Sequence, residues 1–243
     1  MSTRRLQAED RRAAIIAAIR PLIASKGLSG TTTKEMAAAA GVSEALIFKH
    51  FPTKQALYDA IVHSGAAGEP ELERLLDMAP STATLVHIIS LLVRHFAVEV
   101  PLNVKGKQSE HRFALTDLLQ DGQLARLRYD WIAHNLQPLF AACVKAAEVA
   151  GDLVASPIPA ENRLLFAEHL GSMFASLHMG GRPAAPYAGA SGDLAGQLTW
   201  FLLRGIGIAD RVIDLHCRVV AEKTTKRGSG HEHSGKDRRR ESG

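Results

Sequence analysis

Apolar residues recur along this chain at three- and four-residue intervals, and no stretch alternates convincingly between apolar and polar positions. That period predicts helices throughout and no sheet. The first helix is expected over 9–25, with Ala14, Ile15, Ala18, Leu22 and Ile23 on one face and Lys26-Gly27 as its stop; Pro21 inside it predicts a bend. The stretch "TTTKEMAAAAGVSEALIFKHF" (31–51) reads as two short helices in quick succession. Thr32 and Glu35 have capping-box spacing, Met36, Ala37 and Ala40 form one apolar face, and Gly41 supplies a left-handed stop. Val42 anchors the turn, Ser43 caps the next helix, and Ile47 and Phe51, four apart, turn inward. Glu44, Ala45, Leu46, Phe48, Lys49 and His50 are left facing outward.

A fourth helix follows Pro52, capped by Thr53, with Leu57, Tyr58 and Ile61 inward. "SGAAGEPE" (64–71) reads as a linker. Further helical runs are expected over 81–99, 107–120, 123–149, 160–179 and 193–221, separated by Gly- and Pro-rich breaks. Pro138 withholds a donor from the His134 carbonyl and predicts a kink or a split in 123–149. From Thr224 onward nothing apolar remains to bury, so the end of the chain is expected to be disordered.

Composition narrows the class. The 46% hydrophobic fraction is ample for a core, and aromatics are only 5%. Cys143 and Cys217 make neither a metal spacing nor a disulfide framework and fit a reducing, cytoplasmic setting. The charged N-terminus has no signal-peptide run, and the most apolar stretch carries His87, Arg94 and His95, which suits a buried helix better than a membrane span. Net charge is +4, unevenly spread: 1–60 hold 9 Lys and Arg against 5 Asp and Glu, whereas 61–221 hold 13 against 16. A basic N-terminal module points to a polyanionic partner.

Two short helices joined by a Gly-containing turn, behind a basic flank, make a helix-turn-helix whose second helix enters the DNA major groove. An ordinary αα corner uses the same glycine; the basic flank and the helices on either side favour the DNA-binding reading. The amphipathic first helix, Gly27, "TTT" (31–33), "AAAAGVS" (37–43), the aromatic at 48, "HF" (50–51) and Lys54 together resemble the DNA-binding domain of the TetR family over residues 11–61. The resemblance implies an all-α chain: a three-helix helix-turn-helix domain followed by a helical ligand-binding and dimerisation domain. The expected divisions are a flexible N-terminus (1–8), the DNA-binding domain (9–63), the effector and dimer domain (64–222) and a basic disordered tail (223–243). Family members often carry Tyr where this chain has Phe48, which lacks a hydroxyl for a phosphate.

The expected roles follow. Thr33, Lys34, Lys49, His50 and Lys54 form the phosphate set, with Arg11 and Arg12 adding from the first helix. Glu44, Ala45 and Leu46 form the base-edge set, and Thr32, Ser43 and Phe48 complete the interface. Two half-sites require a homodimer, expected through Leu165, His169, Met173, Leu177, Leu198, Phe201, Leu202 and Gly205, with Gly171, Gly205 and Gly207 permitting close helix approach. A pocket among 81–149, marked by His87, His95, His111, Trp131, His134 and Asn135, is expected to hold a small apolar or amphipathic effector. No cofactor, metal or membrane partner is expected. No phosphate loop, nucleophile elbow or carboxylate pair is present to suggest an enzyme, and "HEHSG" (231–235) lacks a fixed third ligand. The expected function is a repressor that binds a palindromic operator and is released by its effector. The alternatives are a helical adaptor without effector control, or an activator.

Overall fold

The structure is a computed structural model, and it describes residues 3–26, 30–54, 56–57, 59–61, 70–120, 122–180, 183–188 and 193–215, with backbone only for 3–7, 24 and 25. Gly27, Tyr58, most of the 64–71 linker, Cys217 and the basic tail lie outside these residues. Helices α1 (Thr3–Lys26), α2 (Thr33–Ala40) and α3 (Glu44–His50) open the chain. A fourth helical segment, α4, contributes residues 54, 56–57 and 59–61. Then come α5 (Pro70–Leu76), α6 (Thr82–Arg94), α7 (Lys107–Leu119), α8 (Gln123–Val149), α9 (Ala160–His178) and α10 (Leu194–Ile206), with a last turn, α11, at 210–215. Among the described residues there is no strand, only one isolated bridge between Leu153 and Ile208.

Two cores form. Ile15, Ile16, Ile19 and Ile23 of α1 bury against Met36, Ala37, Ile47, Phe51, Leu57 and Ile61, and Leu124 of α8 joins them. The larger core gathers α6, α8, α9 and α10 around Leu85, Ile89, Phe140, Leu164 and Leu203, all at most 1% exposed. The apolar run 82–99 that satisfies membrane length and composition contributes Leu85, Val86, Ile88, Ile89 and Val93 to this core, while its Phe96 is buried in a small third cluster.

Several expectations need correcting. The first helix begins at Thr3, six residues before the expected start. Its buried stripe is Ile15, Ile16, Ile19 and Ile23, while Ala14 is exposed. Pro21 and Pro138 each lie within an unbroken helix. Pro138 does not split α8 because it and His134 are exposed, so water can take the carbonyl the ring leaves free. The linker gives way to a helix already at Pro70. The run expected over 193–221 breaks at Gly207, whose φ of 103° is left-handed, before α11 begins.

The C-terminal end of α6 widens into a π turn over His95–Glu99, closed by the Val100 amide donating to the His95 carbonyl at 3.0 Å. That turn seats Phe96 against Gly171 of α9, where an added Cβ would stand 2.6 Å from the Phe96 ring. Gly171 thus does permit close approach, but within one chain. Gly205 has open space beside it.

Candidate nucleic-acid interface

The helix-turn-helix is built from local chemistry that the sequence announces. Thr32 caps α2: its Oγ1 accepts from the Glu35 amide (3.2 Å) while the Glu35 carboxylate accepts from the Thr32 amide (2.9 Å). The Lys26 ammonium reaches Glu35 at 2.5 Å, and this bond, followed by those from Thr32, brings the Glu35 pKa down to about 2. Gly41 ends α2 at φ 63°, a conformation that costs residues with a Cβ. Ser43 then caps α3 by accepting from the Leu46 amide at 3.2 Å. Ile47 and Phe51, 2% and 1% exposed, fix α3 to the small core, with Val42 packed at its edge.

The opposite face of α3 is open. Glu44, Ala45, Phe48 and Lys49 are exposed, and Leu46 and His50 are half-buried. Lys34 at the start of α2 is exposed as well, and Thr33 lines a small depression with Phe48, Thr53 and Lys54. Lys54 donates to the Thr31 carbonyl at 3.1 Å, tying α4 to the loop before α2. Thr32 belongs to the fold more than to a ligand: its hydroxyl also faces Glu35 Oε2 at 3.0 Å. Arg12 departs from the expected phosphate set. Its Nη1 donates to the His50 carbonyl and its guanidinium lies over the Phe51 ring, whereas Arg11 is exposed. His50 has its pKa lowered, first by desolvation and then by Arg12, Lys49 and Arg11.

The residues expected to line an effector pocket divide among exposed, half-buried and buried positions. His134 and Asn135 are exposed; their side chains bond the carbonyls of Asp130 and Trp131 one turn back. His87 and Trp131 are half-buried. His95 lies 3.5 Å from Glu99 on the π turn and edge-on to Phe96. His111 also packs edge-on to Phe96, and its Nε2 sits 3.1 Å from the Ser172 carbonyl and 3.0 Å from Ser176 Oγ. Burial lowers the His111 pKa, so it serves as a neutral tie between α7 and α9.

The expected dimer residues divide in two. Met173 and Phe201 are 57% and 59% exposed, and Gly205 and His169 are also open. Leu198 and Leu202 belong to the interior of the larger core, and Leu165 and Leu177 are half-buried. Phe166, Leu170 and Trp200 were not anticipated, yet they are exposed beside Met173 and Phe201 in sequence register. The spacing Phe166, Leu170, Met173 is the helical stripe that would have found them. A groove of about 170 Å³ between α9 and α10, lined by Phe166, Ala167, Leu170, Phe201 and Gly205 among others, runs along this face.

Buried charges were also missed. Glu168, 5% exposed, meets Arg128 at 2.5 Å and accepts from the Tyr129 hydroxyl at 2.9 Å, bolting α8 to α9. Asp117, 1% exposed, accepts from the amides of Leu124 (3.3 Å) and Ala125 (2.9 Å), capping the start of α8 from the end of α7. Among the described residues no group of His, Cys, Asp and Glu is placed to hold a metal.

Known proteins share this arrangement. The family of bacterial regulatory proteins, tetR family, matches residues 15–61. The nucleoid occlusion factor SlmA of Serratia proteamaculans is 27% identical over 191 residues, covering 78% of this chain and 95% of its own. The uncharacterized HTH-type transcriptional regulator YvkB of Bacillus subtilis is 46% identical over 56 residues, 22% of this chain and 30% of its own. The crystal structure of NalD, the secondary repressor of the MexAB-OprM multidrug efflux pump in Pseudomonas aeruginosa, matches with a TM-score of 0.59 at 22% identity, covering 84% of this chain and 99% of NalD. That likeness shows the fold. Together with the capped helix pair and its buried Ile47 and Phe51, these matches make residues 15–61 a DNA-binding domain of the TetR family of transcriptional regulators.

Proposed function

We propose that the protein is a cytoplasmic, dimeric repressor that binds a two-fold operator through α3 and is released by a small apolar or amphipathic effector. The observation that carries the DNA-binding part is the two-sided character of α3. One face is locked into a core by Ile47 and Phe51, while Glu44, Ala45, Phe48 and Lys49 are presented to solvent. A seven-residue helix has little stability alone, so a chain that caps it at Ser43 and anchors it twice is holding it for presentation. Lys34, Lys49, His50 and Thr33 take phosphates. Glu44, Ala45 and Leu46 meet base edges, Glu44 as an acceptor for cytosine N4 and Ala45 or Leu46 against a thymine methyl.

One α3 reads one half-site, so the exposed apolar face of α9 and α10 supports pairing with a second copy. Large contiguous apolar surface seldom stays open to water. Repression is the simplest consequence of a dimer that occupies an operator, and the effector acts by favouring an arrangement that DNA does not.

The test of DNA binding is Lys49→Ala. It should weaken binding to every duplex about equally and reduce the slope of log affinity against log salt by about one. A variant that changes base preference at an unchanged slope would remove Lys49 from the phosphate set. A wild-type protein without salt-dependent duplex binding would end the proposal.

A further inference from the structure

The second helix of the motif is only seven residues long, and its two ends are held differently. Ser43 secures the start. At the other end the Phe51 amide closes on the Ile47 carbonyl at 2.8 Å, and the following carbonyls have no further turn of helix to use them. A side chain from α1 reaches across to this end: Arg12 Nη1 donates to the His50 carbonyl, the last of α3. The same guanidinium lies over the Phe51 ring, 4.5 Å from its centroid. Phe51 is 1% exposed and packed into the small core, so its ring gives the guanidinium a seat from which it reaches the carbonyl. Its positive charge also lies at the negative end of the helix dipole.

From these contacts we infer that Arg12 is a positioning residue of the DNA interface, setting the orientation of the last turn of α3 and therefore of Lys49 and His50. The inference rests on the DNA-binding reading above. It assigns Arg12 to geometry, and leaves direct phosphate contact on α1 to the exposed Arg11. The contacts need a planar fork that can stack and donate together; an ammonium keeps the charge but cannot do both.

That difference makes Arg12→Lys the informative variant. The test is a double-mutant cycle of Arg12→Lys and Lys49→Ala in the full chain, with affinity for a random-sequence duplex read at one salt concentration. Circular dichroism melting of each variant accompanies it. Arg12→Lys alone should weaken binding about tenfold although no charge is lost, but by less than about threefold in the Lys49→Ala background, because the contact it orients is already gone. Arg12→Lys binding like wild type would make Arg12 a charge or a bystander. An equal loss in both backgrounds would make it a residue of general stability. Either overturns the inference, as would loss of the fold in both Arg12→Lys and Arg12→Gln. Failure of the wild-type chain to bind any duplex is a separate result, and it would end the underlying DNA-binding reading first.

Discussion

At His50 the fold meets the proposed function. Its carbonyl is tied to Arg12, and its imidazole sits among Arg12, Lys49 and Arg11. Desolvation and these three cations lower its pKa, so the free protein holds it neutral near pH 7. A phosphate set among the cations would offset them and favour the imidazolium. The complex would then bind more protons than its separated parts, and linkage requires affinity to rise as pH falls. Duplex affinity at fixed salt should therefore be several-fold tighter at about pH 6 than at about pH 8, with most of the difference removed in His50→Gln. A flat wild-type profile, or one of opposite sign, would take His50 out of the phosphate set. Folding runs the other way. With the folded pKa lowered, the unfolded chain takes up the proton first, so the His50 and His111 contributions are present above about pH 6.5 and are lost on acidification.

Among the elements, those fixed by local chemistry were the legible ones. Thr32 with Glu35, Gly41, Ser43 and Thr53 each act through neighbours a few residues away, and each cap is present as expected, Thr53 accepting from the Ala56 amide at 3.0 Å. What depends on distant partners was not legible. Nothing near Phe96 announces a π turn, whose use is to seat that ring against Gly171, 75 positions on in the numbering. Leu198 and Phe201 are alike in composition, and only the placement of α10 buries one and exposes the other.

The same limit applies to communication between the two cores. α4 is the covalent link, but α7 and the start of α8 also pack on the DNA-binding core. Phe113, Leu124 and Leu127 join its apolar cluster, and Arg20 of α1 meets Glu110 of α7 at 3.0 Å. A ligand that moves α6–α8 therefore has both α4 and the α7–α8 corner through which to act on α3. For a compound found by screening to release the operator, a spin label at Ala45→Cys should show the two recognition helices of a dimer changing separation by a few ångströms, enough to misalign half-sites about 34–36 Å apart. The associated coupling should be about 1–3 kcal/mol. Release at a fixed separation would favour a change in dynamics instead.

At the scale of the whole molecule, two apolar surfaces have different fates. The faces of α6, α8, α9 and α10 that meet one another are closed; the outer stripe of Phe166, Leu170, Met173, Trp200 and Phe201 is open. In the proposed function that stripe closes against a second copy, which joins an interface on α9 and α10 to DNA recognition by α3 near the other end of the sequence. The most direct test is sedimentation of the full chain with a duplex selected from genomic fragments, comparing wild type with Phe201→Glu. The wild type should sediment as a dimer and bind the duplex with two chains. Phe201→Glu should be a folded monomer whose affinity for the selected duplex falls by at least about a hundredfold, because one half-site is lost. Phe201 is the position to change; a charge at Leu198, 8% exposed, would disrupt the core itself. A Phe201→Glu protein that remains a dimer, or a monomer that binds the selected duplex as tightly as wild type, would contradict the account.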